Sequence, residues 1–184
     1  MIEVPEIEFT ADQIDELLGA LEEELRRRGL AGIIFIVGGA AMALAYNASR
    51  STGDIDGVLR PRDDLLAAAD AVAAERGLPK HWLSDGVTQI HMPDRADPAP
   101  ITRVIGPALT FEIASAEYVL AMKAMSTRHS DGDLRDAAEL CRLLGISDEH
   151  QIEQTVRRFY GGDVSVFGAQ ELWFDRIAER VRDE

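Results

Sequence analysis

The sequence predicts an α+β fold: a strand-rich first half followed by a helical tail. Three observations predict it. Short β-branched or alternating apolar runs occur at 33–37 ("IIFIV"), 54–59 ("DIDGVL") and on both sides of Gly106-Pro107. From Ser115 onward the apolar residues recur only at helical spacing. Strands and helices do not alternate regularly, which disfavours a doubly wound sheet.

Taken in order, Thr10 reads as a helix N-cap with Gln13 completing a capping box. Ile14, Leu17, Leu18, Leu21 and Leu25 form the apolar stripe, and Gly29 stops the helix. "IIFIV" reads as a strand buried on both faces. "GAAMALAY" gives a short helix ending near Asn47, and "DIDGVL" the partner strand. Pro61 opens a helix through about Arg76, with Leu65, Leu66, Ala69, Val72 and Ala73 inward and Gly77 as its stop. "LPKHWLSDG" reads as a short helical turn, and "PDRADPAP" as a loop. "ITRVIG" and "ALTFEIA" read as two strands meeting at the Gly106-Pro107 turn. Helices then follow at about 116–127, 132–144, 148–159 and 168–182. The expected division is 1–114 and 115–184, packed as one unit.

The chain has 184 residues, 46% of them hydrophobic and 28% charged, the balance of a globular protein. No apolar run approaches the roughly 18 residues of a membrane span, and the opening "MIEVPEIEF" is too acidic for a signal peptide. With a single cysteine, Cys141, no internal disulfide is expected, which fits a cytoplasmic location. Cys141 lies on an apolar stripe and is read as core, not nucleophile. The net charge of −14 argues against non-specific coating of nucleic acid. That charge is concentrated at the ends: residues 31–146 hold fifteen acids and eleven bases, a net of only −4.

The candidate chemistry lies between 37 and 59. On a strand, residues i and i+2 share a face, so Asp54 and Asp56 point together while Ile55 faces the core. Adjacent carboxylates share a proton or bind divalent cations, and all-oxygen donors suit Mg²⁺ with substrate phosphates. Gly38 and Gly39, between strand and helix, let phosphates approach the backbone at a helix N-terminus. Arg50 is close enough in sequence to reach the same phosphates. Each feature alone has an ordinary reading: a tight turn, a solvated edge, a surface charge. Their joint occurrence in one strand–glycine–helix–strand unit points to phosphoryl chemistry.

Gly38-Gly39-Ala40, a short helix, then Arg50-Ser51-Thr52-Gly53-Asp54-Ile55-Asp56 resembles the signature of the DNA polymerase β-type nucleotidyltransferase superfamily, most closely its AbiEii (MenT-like) toxin nucleotidyltransferases. "SAEYVLAMKAMSTRHSDGDLRDAAEL" (115–140) is similar to that family's downstream helix ending in K-x4-R, followed by D-x-x-D. The two matches span roughly 31 to 145. Gly132 stands where the family often has arginine, and the superfamily's third acid has two candidates, Glu112 and Asp133.

The resemblance implies a small mixed β-sheet nucleotidyltransferase core with flanking helices and a helical C-terminal part. It implies one or two Mg²⁺ on Asp54 and Asp56, with an NTP as substrate. Asp54, Asp56, Lys123 and Asp133 would be catalytic, with Lys123 neutralising the pyrophosphate leaving group. Gly38, Gly39, Arg50, Thr52, Arg128 and Asp136 would serve nucleotide binding. The expected acceptor is the 3′ end of tRNA, and the expected role a toxin paired with an antitoxin protein, with no membrane partner. A catalytically weak binding or regulatory module and a protein-directed transferase are the alternatives. A tRNA acceptor requires a basic path among Arg50, Arg60, Arg62, Lys80, Arg103, Lys123 and Arg128. Asp133 and Asp136 share a helical face, and Asp133 could equally orient Lys123 or Arg128. Thr52 or Ser51 is a candidate point of control by phosphorylation. The histidines, His81, His91, His129 and His150, show no ligand spacing, so zinc is not expected; Trp82 and Trp173 are read as core anchors.

Overall fold

The computed structural model describes residues 7–89, 92–161 and 170–183. Residues 1–6 of the acidic opening, His91, and the first two residues of the last expected helix lie outside the described residues. The fold is α+β, with a five-stranded mixed sheet and seven α-helices among the described residues.

The chain divides into two compact units. The first comprises Met1–His91 with Pro100–Ala114, and the second Met92–Ala99 with Ser115–Glu184.

The first unit opens with α1 (Ala11–Arg28), whose capping box is formed as expected. Thr10 N donates to Gln13 Oε1 at 2.9 Å, and Gln13 N to Thr10 Oγ1 at 3.4 Å. Gly29, at φ +68°, closes the helix in the left-handed conformation that a side chain would strain. After β1 (Gly32–Ile36) comes α2 (Gly38–Ala41), continued by a π-helical turn through Tyr46. Then follow β2 (Ile55–Arg60), α3 (Arg62–Arg76), β3 (Leu83–Ser84), a 3₁₀ turn at Gly86–Gln89, β4 (Ile101–Val104) and β5 (Leu109–Ile113). The sheet order is β3-β2-β1-β5-β4. β1 runs antiparallel to β2 and parallel to β5; β2–β3 is parallel and β4–β5 antiparallel.

One face of this sheet carries the core. Ile34, Ile36, Ile55, Leu59, Leu109, Phe111 and Ile113 are buried on it, with α1 and α3 packed nearby. Gly32 shows how closely: a Cβ there would lie 2.8 Å from Leu65 of α3. The expectation that β1 is buried on both faces is corrected here, since Ile33 is 46% exposed. Apolar composition marked the strand, but only the layer arrangement decides how many of its faces are covered. Two smaller corrections follow. Leu66 of α3 is half-buried while Ala68 faces the core. "LPKHWLSDG" makes a single turn at 79–82, where Trp82 N donates to Pro79 O at 3.1 Å, and then contributes the unexpected edge strand β3, because Ile55 N donates to Trp82 O and draws the segment onto β2. Trp82 is fully buried and its Nε1 donates to Ala69 O at 3.0 Å.

The second unit contains α4 (Ala116–Ala124), α5 (Asp131–Leu144), α6 (Glu149–Tyr160) and α7 (Glu171–Asp183). Ser115, Ser130 and Asp148 cap the first three, and Gly145 ends α5 at φ +69°. The core is built from Leu120, Leu140, Ile152, Phe159, Trp173, Phe174 and Ile177. Cys141 is fully buried within it, and burial pushes its thiol up to about 12, so it is inert at neutral pH. No helix among the described residues is long and apolar enough to cross a membrane.

Candidate functional site

In the first unit, β1 delivers the chain to Val37, which caps α2. Gly38 and Gly39 are the first residues of that helix, not a loop before it, which corrects the expected boundary. Gly38 sits at φ +63°, where a side chain is strained. Gly39 has a different reason to be glycine: a Cβ would lie 2.6 Å from Thr52 Oγ1 and 4.0 Å from Arg50 Nη2. Gly39 is therefore packed against Thr52 in the Arg50–Asp56 run.

Main-chain bonds hold this run in place. Phe9 N donates to Thr52 O at 2.7 Å, Thr52 N to Phe9 O at 3.1 Å, and Val37 N to Asp56 O at 3.0 Å. Asp54 immediately precedes β2 and Asp56 is its second residue. Both are half-buried, whereas Ile55, Gly57 and Leu59 between and beyond them are buried. The alternation places Asp56 on the side of β2 opposite the core, while Asp54 lies in the bend that leads into the strand. Thr52 is 9% exposed, and its hydroxyl donates to Asp54 O at 3.2 Å. Ser51 Oγ donates to Glu8, and Arg50 Nη1 to Ser51 O. Glu8 and Phe9 were missed in the sequence, where nothing ties them to residues more than forty positions away.

Glu112 does not join the pair. It lies opposite Phe35 on β5, and Phe35 lies opposite Val58 on β2. It thus shares the face of Asp56 but lies two strand spacings across and two residues along from it, about 12 Å in all. Among the described residues no three His, Cys, Asp or Glu side chains gather as a metal site. Asp54 and Asp56 offer carboxylate oxygens, the donor type that a hard cation such as Mg²⁺ takes together with phosphate and water.

In the second unit, Lys123 is 7% exposed and extends toward two buried acids of α5. Its Nζ lies 2.7 Å from Asp133 Oδ1 and 2.9 Å from Asp136 Oδ2. Asp133 also receives Ser126 Oγ at 3.0 Å and Arg128 Nη2 at 3.4 Å. Burial alone would raise the Asp133 pKa. The charge and hydrogen bond of Lys123, then Arg128 and Ser126, outweigh it and hold the carboxyl below its usual range. Two carboxylates against two cations leave this cluster close to neutral. Ser126 and Ser130 were missed in the sequence; the signal was Ser130 three residues before Asp133, whose N–H it caps at 3.1 Å. Beside the cluster, Trp173 Nε1 donates to Lys123 O at 3.2 Å, and the Trp173 ring stacks on His129.

Comparison with protein families, with curated proteins and with solved structures finds no match to the chain.

Proposed function

We propose that the chain is a Mg²⁺-dependent nucleotidyltransferase of the polymerase β type, similar to the AbiEii toxins. It would transfer NMP from an NTP to an acceptor hydroxyl. One observation carries this reading: Gly39 has no room for a Cβ because Thr52 occupies that space, so Gly39 is packed against the run bearing Asp54 and Asp56.

In the proposed reaction the acceptor oxygen bonds to the α-phosphorus as the bond to the β-phosphate oxygen breaks, releasing pyrophosphate. Asp54 and Asp56 would hold the ion, which when bound supplies charge neutralisation on the phosphates and a more acidic hydroxyl. Backbone N–H groups at Gly38 and Gly39 are the candidate phosphate donors. In the second unit, Asp133 and Asp136 fix the Lys123 side chain. The proposed biological setting is a toxin acting on the tRNA 3′ end and restrained by an antitoxin. Arg62 and Arg103 support the tRNA reading least, being already matched to Asp85 and Asp15.

The test is incubation with labelled NTPs, Mg²⁺ and total RNA. Wild type should label RNA, and Asp54→Asn should lower labelling by about a hundredfold or more. Label on protein instead of RNA would redirect the proposal to a protein acceptor. No labelling, or equal labelling by both proteins, would overturn it. A second reading, a nucleotide-binding module with little catalysis, is favoured by one observation: among the described residues no three His, Cys, Asp or Glu side chains gather as a metal site.

A further inference from the structure

β4 is the outermost strand of its sheet, with β5 on one side and no strand on the other among the described residues. Ile105 N donates to Leu109 O, continuing the antiparallel ladder. Residues 105, 103 and 101 therefore direct their main-chain groups toward β5, and by alternation Thr102 and Val104 direct theirs outward. Val104 is 71% exposed and Ile101 42%. Proteins usually blunt such an edge with proline, a bulge or a projecting charge. Here Arg103, the only charge on the strand, is turned back onto Leu44 O at 3.2 Å and toward Asp15 at 3.8 Å.

The flank of this edge is acidic. Asp15, half-exposed, lies 3.8 Å from Arg103 of β4, and Glu22, seven positions on and so on the same side of α1, is buried and accepts from Ala108 N at 3.0 Å within the β4–β5 turn, which holds that side of α1 against the edge. Asp12 and Glu23, both exposed, adjoin these two on α1. A second copy of the chain would bring another −14 and another acidic α1 to the same place, so like charges oppose self-pairing.

We propose that the outer edge of β4 is a docking site for an extended basic segment of a partner polypeptide, which adds to the sheet as a sixth strand. Main-chain bonds to Thr102 and Val104 supply the pairing, Ile101 and Val104 the apolar contact, and the α1 acids the selectivity for lysine and arginine. The proposal does not rest on nucleotidyl transfer.

A short synthetic peptide alternating lysine with valine serves as probe, titrated into the full chain while backbone amides are followed by NMR and hydrogen exchange. Thr102 and Val104 amides should shift and gain protection. Thr102→Pro leaves the β5 ladder intact, because that N–H points outward, and should weaken binding about tenfold or more. Asp15→Asn with Glu23→Lys should weaken it by a similar factor. A peptide of equal charge broken by a central proline, and one with glutamate for lysine, should fail to bind. Equal binding of the intact and proline-broken peptides, or perturbations away from β4, would overturn the proposal. So would a concentration-dependent dimer abolished by Thr102→Pro, which would assign the edge to a second copy. The wild-type amide readout holds even if Thr102→Pro does not fold.

Discussion

Gly39 and Thr52 fit together with no spare volume, and this contact is the sharpest residue-level feature of the proposed site. Gly39→Ala should destabilise the protein by about 1–3 kcal/mol through overpacking. Because Thr52 Oγ1 is the nearest atom, at 2.6 Å, Thr52→Ala should relieve part of that loss. A double-mutant cycle by urea unfolding measures the coupling, and strictly additive effects would show that the glycine is needed for another reason. The Lys123 cluster behaves differently, being a charge question instead of a volume question. Lys123→Met leaves two buried carboxylates without their cation and should cost about 3–5 kcal/mol. The pH dependence has a defined sign. Asp133 is held below the usual carboxylate range when folded, so the unfolded chain takes up its proton first. Its stabilisation is present above about pH 4 and is lost as the pH falls through the lower folded value. Asp133→Asn should flatten that acid limb, as chemical denaturation at pH 7 and at pH 3 would reveal.

Helix boundaries depend on single residues whose effects are local. Thr10 satisfies one N–H at the start of α1 and has its own N–H satisfied by Gln13. Thr10→Ala should therefore cost about 1 kcal/mol, seen as a lower urea midpoint with unchanged slope. Gly29, Gly77 and Gly145 all adopt positive φ at helix ends. These elements could be placed from sequence because the signal and its structural consequence lie within four residues of one another. β3 could not. Its two residues become a strand only by pairing with Ile55 and Asp56, and that pairing is not encoded locally. The short run from Val37 to Tyr46 is intermediate: its helical character was legible, but its start at Gly38 and its π turn depend on packing against β2.

At the scale of the whole molecule the dominant property is charge. A chain of −14 attracts few phosphates, so RNA affinity should be low and should fall further between low salt and about 0.15 M. Filter binding across that range tests it, and salt-independent tight binding would point to a locally basic surface. Each unit has its own buried core, and each carries one of the two motifs the sequence singled out.

From sequence alone came the α+β class, the order of strands and helices apart from β3, and Asp54 and Asp56 as candidates. Patterning and capping act over a few residues, and the alternation of a strand fixes which side chains share a side. Three things required tertiary structure. Packing of α1 and α3 decided that β1 buries one face only. Register across three strands kept Glu112 away from Asp56. The approach of α4 to α5 gave Lys123 two buried partners. Each depends on groups distant in the chain meeting in space, where burial and charge pairing set the energy.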